Sequence, residues 1–246
     1  MVVAPRNQTY FLMLEKLASI DSADGVQAFL RQVIKLYELR HIAYLAVNMP
    51  GTPLSEPYLE VTYSLDWVEH YKARRFVDID PAIRNGFIQM LPFDWGQFSN
   101  GEAKLKRFFG EASEFGIGKR GLTIPLRGRR GERALFSITS DLSAAAWEEM
   151  RVLYMRDFQV LAMLFHEMVL RLQHAEQDDI VLSSREVECL IWTAEGKSAE
   201  DCATILNLSD RTVRAYLENA RKKLNVVTTT QAVAKALNYN LLMPRL

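Results

Sequence analysis

The sequence predicts an α+β chain in two parts, and three observations predict it. Residues up to about 172 mix runs of period-2 apolar alternation with helical, 3.6-period patterns. A polar stretch, "QHAEQDD" (173–179), then interrupts the pattern. Beyond it only short, cleanly capped helical periodicities remain. The organisation read from this is a first domain over 1–172, a linker over 173–180 and a second, all-helical domain over 181–246. A chain of 246 residues, 49% apolar and 24% charged, has the length and composition for two soluble cores. Thirty basic residues balance thirty acidic ones, so only a local imbalance could point to a polyanionic partner.

The first part opens with a helix over 8–19, with Phe11, Leu14 and Leu17/Ala18 on one face. A second helix, 24–39, repeats Val26, Phe29, Leu30, Val33, Ile34 and Tyr37 at helical spacing. "HIAYLAVN" (41–48) and "YLEVTYS" (58–64) alternate as strands, joined by a Pro/Gly-bearing loop. A short helix over 65–75 follows, then another near Pro81, whose fixed φ suits a first helical turn. Residues 100–115 form a helix capped by Asn100 and ended by Gly116. Strands 120–127 and 132–140 flank the turn "RGRRG", and a long helix runs from about Ser143 to Leu172.

Several chemistries fail on spacing. "GIGKRG" (116–121) has the G-x-G-x-x-G spacing of a dinucleotide loop, but a helix precedes it and a strand follows. That order reverses the one that aims a helix N-terminus at a pyrophosphate. "HEMVL" from His166 has Leu170 where a zinc-binding H-E-x-x-H needs its second histidine. The four histidines are scattered and the two cysteines, Cys189 and Cys202, form no C-x-x-C. Both cysteines fall on inward helix faces as small hydrophobes, which fits a reducing cytoplasm. There is no G-x-S-x-G nucleophile elbow. No catalytic residue, metal or enzymatic cofactor is therefore assigned. The N-terminus carries no signal-peptide pattern, and no apolar run approaches the ~20 residues that span a bilayer.

The second part is punctuated residue by residue. Ser183 and Glu186 form an S-x-x-E capping box, and Val187, Leu190, Ile191 and Ala194 make an apolar face. Gly196 stops that helix, and Ser198 caps a shorter one with Cys202, Ala203 and Leu206 inward. After the turn "NLS", Ser209 caps a third helix that buries Val213, Tyr216, Leu217, Ala220 and Leu224. Two short helices across a tight turn make a helix-turn-helix, with a fourth helix (about 230–241) behind. The outer face of the third helix carries Arg211, Arg214, Glu218 and Arg221, with Lys222 and Lys223 at its end. Five basic and two acidic residues between Ser209 and Lys223 give a local charge of +3. This suits a recognition helix in the major groove of double-stranded DNA, with Arg214 placed for a guanine edge.

The second part also resembles the LuxR-type family of bacterial transcription regulators. The family's pieces stand here as "LSSREVECL", "GKS", "RTVRAYLENARKKL" and "QAVAKA". Glu186, Leu190 and Gly196 fall on its nearly fixed positions, and Thr212 on the [ST]-V of its recognition helix. The first part resembles the family's acyl-homoserine-lactone (autoinducer) binding domain. Trp67 and Tyr71 match its W-x-x-x-Y, Asp80 and Pro81 its D-P, and Trp95 the tryptophan after P-F-x. Gly121 matches the glycine before T-[IFM]-P, and Tyr63 and Ser137 match two further pocket positions.

The resemblance implies an α/β/α sandwich around a five-stranded antiparallel sheet, followed by a four-helix helix-turn-helix domain. It implies an acyl- or aroyl-homoserine lactone as regulatory ligand and a homodimer, with helix 143–172 a natural dimer element. It further implies a palindromic operator with RNA polymerase as a further partner. In such a pocket Trp67 donates to the ring carbonyl, ionised Asp80 accepts the amide N–H, and Tyr63 and Ser137 donate to the amide carbonyl. Trp95 and Tyr71 pack on the ring and the start of the acyl chain. Three departures bear on the operator. The loop before "QAVA" is a run of threonines (228–230) where relatives often carry Arg, Tyr216 replaces a common His, and Glu218 places an acid on the exposed face. Two other readings are weighed. A phosphorylated response regulator would need an alternating βαβ receiver, and a lactone hydrolase a nucleophile or metal; neither pattern is present.

Overall fold

The computed structural model describes residues 6–49, 56–98, 103–129, 131–173 and 180–242. The chain divides into two compact units, Met1–Gly128 with Arg133–Ala175 and Arg129–Glu132 with Glu176–Leu246. The first unit runs α1 (Arg6–Ala18), α2 (Ala23–Tyr37), β1 (His41–Val47), β2 (Tyr58–Val61), α3 (Leu65–Ala73), α4 (Pro81–Gly86), β3 (Phe93–Asp94), α5 (Ala103–Glu114), β4 (Arg120–Arg127), β5 (Arg133–Ser140) and α6 (Ala144–Gln173). Its sheet has five strands in the order β2-β1-β5-β4-β3, every neighbour antiparallel. The two-residue β3 is the strand that alternation could not find, because two residues carry no period.

Side chains alternate across the sheet, and the two faces meet different partners. Ile42, Tyr44 and Ala46 of β1, Leu122, Ile124 and Leu126 of β4, and Ala134, Phe136 and Ile138 of β5 share one cluster with α1, α2 and α6. Phe158 and Phe165 of α6 are fully buried in it, each within about an aromatic pair distance of Phe136. The opposite face meets a second aromatic cluster built on Trp67, Phe76, Phe108, Ala112 and Ile117.

Local differences from the sequence reading have local causes. In α1 the buried residues are Met13 and Leu17, and Phe11 is 60% exposed, so the inward stripe lies one step round from the predicted one. Strand β2 ends at Val61 rather than at Ser64 because the Thr62 hydroxyl accepts the Ile42 N–H at 2.9 Å, a side chain taking the ladder's place. Helix α3 stops at Ala73, and Arg75 turns left-handed with φ 51°. The cap expected at Asn100 lies outside the described residues, while Gly116, at φ 72°, does end α5.

The second unit contains α7 (Ser184–Ala194), α8 (Ala199–Leu206), α9 (Asp210–Lys223) and α10 (Thr229–Asn238) around one core. Both bonds of the Ser183–Glu186 box form, and Ser198–Asp201 and Thr228–Gln231 form two more. Cys189 and Cys202 are both fully buried. Ala194, placed on the apolar face of α7, is exposed; the buried residues there are Glu186, Cys189 and Leu190. Gly196 sits at φ 81°, a conformation that L side chains rarely adopt.

Candidate functional site

The aromatic cluster does not close onto the sheet. A cavity of about 390 Å³ lies between them. Strand register sets the chemistry of its floor. One row pairs Val61 with Ala43, Ala43 with Ser137, and Ser137 with Thr123. Two residues along, the row reads Leu59, Leu45, Leu135 and Pro125. The floor is thus hydroxyl-bearing at one end and aliphatic at the other.

Polar side chains gather over the hydroxyl end. Asp80 caps α4, its Oδ1 accepting the Ala82 N–H at 2.8 Å, and its Oδ2 accepts the Tyr71 hydroxyl at 2.8 Å. A carboxylate offers about four lone-pair sites, so acceptor capacity remains. Burial pushes the Asp80 carboxyl above the usual carboxylate range, against the pull of Tyr71 and of the Ala82 and Ile83 N–H groups. Burial, and then the Asp80 charge, raise the phenols of Tyr63 and Tyr71. The Trp95 indole N–H donates to Thr123 Oγ1 at 2.8 Å, and Thr123 lies 2.8 Å from Ser137 Oγ. With Thr123 accepting from Trp95, its own hydroxyl can donate to Ser137 Oγ, which leaves the Ser137 hydroxyl free to donate elsewhere. Among the described residues, neither the Trp67 indole N–H nor the Tyr63 hydroxyl makes a hydrogen bond, and both residues line the cavity.

Tyr63, Trp67, Tyr71, Asp80, Trp95 and Ser137 therefore all reach one cavity. Pro81 and Gly121 do not line it, and both act behind the wall. Pro81 is the first residue of α4 and follows the Asp80 cap directly. Gly121 underlies Trp95: a Cβ there would stand 2.2 Å from two ring atoms. Thr123 stands in the T-I-P motif, but the sequence gives it no role, because the link from Trp95 through it to Ser137 exists only once β4 and β5 pair. Outside the cavity, Glu111 of α5 accepts from His70 at 2.7 Å and Arg74 at 2.9 Å, both near α3, and from Arg107 at 2.7 Å. Those three donors hold its carboxyl down at about 2.

In the second unit, α9 presents Arg211, Arg214, Glu218 and Lys222 outward, and the Thr212 N–H is capped by Ser209. Arg214 pairs with Asp210 at 2.7 Å and Lys222 with Glu218 at 2.8 Å, both one turn apart. Arg221 is half-buried and donates to the Val227 carbonyl at 2.9 Å, so its first role is to hold the turn into α10. Glu186, 3% exposed, accepts the Ser183 N–H and the Lys223 ammonium at 2.8 Å, which ties α7 to α9. Burial pushes the Glu186 carboxyl up, but Lys223 and Ser183 outweigh it and hold it below its usual range.

Two family profiles match this chain: "Autoinducer binding domain" over residues 22–169, and "Bacterial regulatory proteins, luxR family" over 180–236. The chain belongs to the LuxR family. It is a quorum-sensing transcriptional regulator, with an autoinducer as regulatory ligand and a helix-turn-helix for DNA. LuxR-family relatives are not enzymes. Transcriptional activator protein RaiR of Rhizobium etli is 39% identical over 197 residues, 78% of this chain and 81% of that protein. Transcriptional activator protein VanR of Vibrio anguillarum is 30% identical over 228 residues, 92% and 94% of the two chains. The crystal structure of Escherichia coli SdiA shares the fold at a TM-score of 0.72 and 22% identity, covering 96% of this chain and 99% of that one. Among the described residues no cluster of His, Cys, Asp and Glu could hold a metal, and no helix is long and apolar enough to cross a membrane.

Proposed function

We propose that the autoinducer is an N-acyl-homoserine lactone held in the cavity, and that the loaded protein binds a palindromic operator as a homodimer. One observation carries this reading: the cavity pairs unsatisfied donors at Trp67 and Tyr63 and a partly satisfied acceptor at Asp80 with an aliphatic far end. A lactone carbonyl, an amide carbonyl, an amide N–H and an acyl chain answer those groups in that order. Trp67 takes the ring carbonyl, Tyr63 and Ser137 the amide carbonyl, and Asp80 the N–H. Trp95 packs on the ring, while Tyr71 holds Asp80 in place. CepR2 of Burkholderia cenocepacia, an N-acylhomoserine lactone dependent LuxR-family transcription factor of similar fold, supports the class.

Residues 1–172 then sense, 173–180 connect and 181–246 read DNA. Two α9 helices meet half-sites about one helical turn, ~10 bp, apart. Arg211, Arg214 and Lys222 supply the positive charge, Thr212 lies at the groove-facing N-terminus, and Glu218 favours a cytosine over a phosphate. Arg221 contributes through the turn it holds. RaiR and VanR are named activators, and recruitment of RNA polymerase is proposed here in the same sense.

Thermal unfolding of the full chain with a panel of acyl- and aroyl-homoserine lactones tests the ligand. At a hundredfold over Kd the first unit should gain roughly 5–10 °C. SdiA, of similar fold, has also been solved in complex with octanoyl-rac-glycerol, so monoacylglycerol belongs in the panel. A shift with the glycerol ester and none with any lactone would replace the proposed ligand.

A further inference from the structure

We propose that Gly86 sets the acyl-chain length this protein accepts, by fixing how far Leu135 retracts from the aliphatic end of the cavity. The proposal rests on the lactone reading above. Gly86 is the last residue of α4 and is buried. Its φ is not left-handed, so the backbone does not require glycine. With no left-handed turn to make, the other ground for a glycine is a close approach that leaves no room for a side chain. Leu135 supplies one. A Cβ built on Gly86 would stand 2.5 Å and 2.9 Å from the two δ-methyls of Leu135 and 3.3 Å from its Cγ. Leu135 occupies the space that any other residue at 86 would fill.

Where Leu135 would go instead is set by the sheet. Its cross-strand partners are Leu45 of β1 and Pro125 of β4, which bound it on either side. The empty volume beside it is the cavity, whose lining it joins with Leu45 and Leu59. Ala82, Ile83 and Phe87, on and just after α4, line the same cavity, while Gly86 between them meets Leu135 of the floor. A methyl at 86 drives the Leu135 methyls into the volume reserved for the end of the chain. The polar end is untouched: Ser137 lies on the neighbouring row of the sheet, Trp67 belongs to α3, and Asp80 caps the opposite end of α4 from Gly86.

Dissociation constants of purified full-length protein for straight-chain lactones, from butanoyl to tetradecanoyl, test this. For Gly86→Ala, short chains should bind within about threefold of wild type. Each methylene refused beyond the new limit should lose roughly fourfold in affinity. Leu135→Ala should move the optimum to longer chains. The double variant, Gly86→Ala with Leu135→Ala, should recover the long-chain binding that Gly86→Ala loses, which separates a lost volume from a damaged fold. An equal loss at every length in Gly86→Ala, with no recovery in the double variant, overturns the proposal. So does an unchanged length profile in Leu135→Ala. A wild-type protein that binds none of the lactones overturns the ligand reading and this proposal together.

Discussion

The two faces of one sheet differ in how they are finished. On the α1–α2–α6 face, Tyr44, Phe136, Phe158 and Phe165 reach nearly complete burial against one another. On the α3–α4–α5 face, Trp67 and Phe108 pack among themselves and stand off from the strands across the cavity. The same strands supply both faces, so the difference comes from residue choice on alternate positions. Large aliphatic and aromatic side chains interlock on one side. On the other, Ala43 and Ser137 keep the floor low while aromatic residues hold the far wall up. The first face is complete as folded, and the second has room for an occupant.

The largest effect should come from the finished face. Phe158→Ala is expected to destabilise the first unit by about 4 kcal/mol, with or without lactone. Leu45→Ala, beside space that already exists, should cost only about 1 kcal/mol without ligand. Denaturant unfolding of the full chain in both conditions checks the contrast, and equal costs would break it.

Next comes Asp80→Ala. It should weaken lactone binding by roughly 2 kcal/mol, about thirtyfold, through loss of a charged acceptor. The unliganded protein should lose only about 1 kcal/mol with the α4 cap. Calorimetric titration beside thermal unfolding separates the two, and wild-type affinity in this variant would sink the pocket assignment.

A smaller effect is expected from pH. The Asp80 carboxyl sits above its unfolded value, so the empty folded state binds the extra proton and loses stability as pH rises through that window. An amide N–H needs the ionised form. Affinity should therefore rise with pH across the window where stability without ligand falls, and Asp80→Asn should flatten both curves.

The smallest concerns the outer wall. Glu111 is held down to about 2, well below an unfolded glutamate, so its contribution is complete above the usual glutamate pKa and is lost as pH falls from there through about 2. Glu111→Gln should remove this acid sensitivity while leaving Phe158-side packing unchanged, readable as local amide exchange in α3 and α5.

Much of this architecture is legible in the amino-acid sequence. The caps at Ser183, Ser198 and Ser209 are local signals, and each forms the bond its spacing implies. The six polar and aromatic cavity residues are legible through their match to the family pattern; their spacing alone favours core aromatics and a helix cap at Asp80. What stays hidden depends on contacts distant in sequence. The cavity's aliphatic end needs the register of β1, β2 and β5, and Thr62 replaces a ladder bond that alternation would have extended. The Glu111 clasp joins residues 37 and 41 apart, and the Arg221 anchor depends on a turn, so neither leaves a periodic trace.

The contact between Gly121 and Trp95 has a consequence for descent. The indole lies where any Cβ at 121 would have to be, so the two positions cannot drift independently. A lineage that keeps the tryptophan must keep the glycine, and one that gains a side chain at 121 must first give up the ring. The indole's bond to Thr123 carries the constraint one residue pair further, into the hydroxyl at 137. Positions 95, 121, 123 and 137 should therefore change as a set, and their joint pattern in a new sequence would report this wall architecture without a structure.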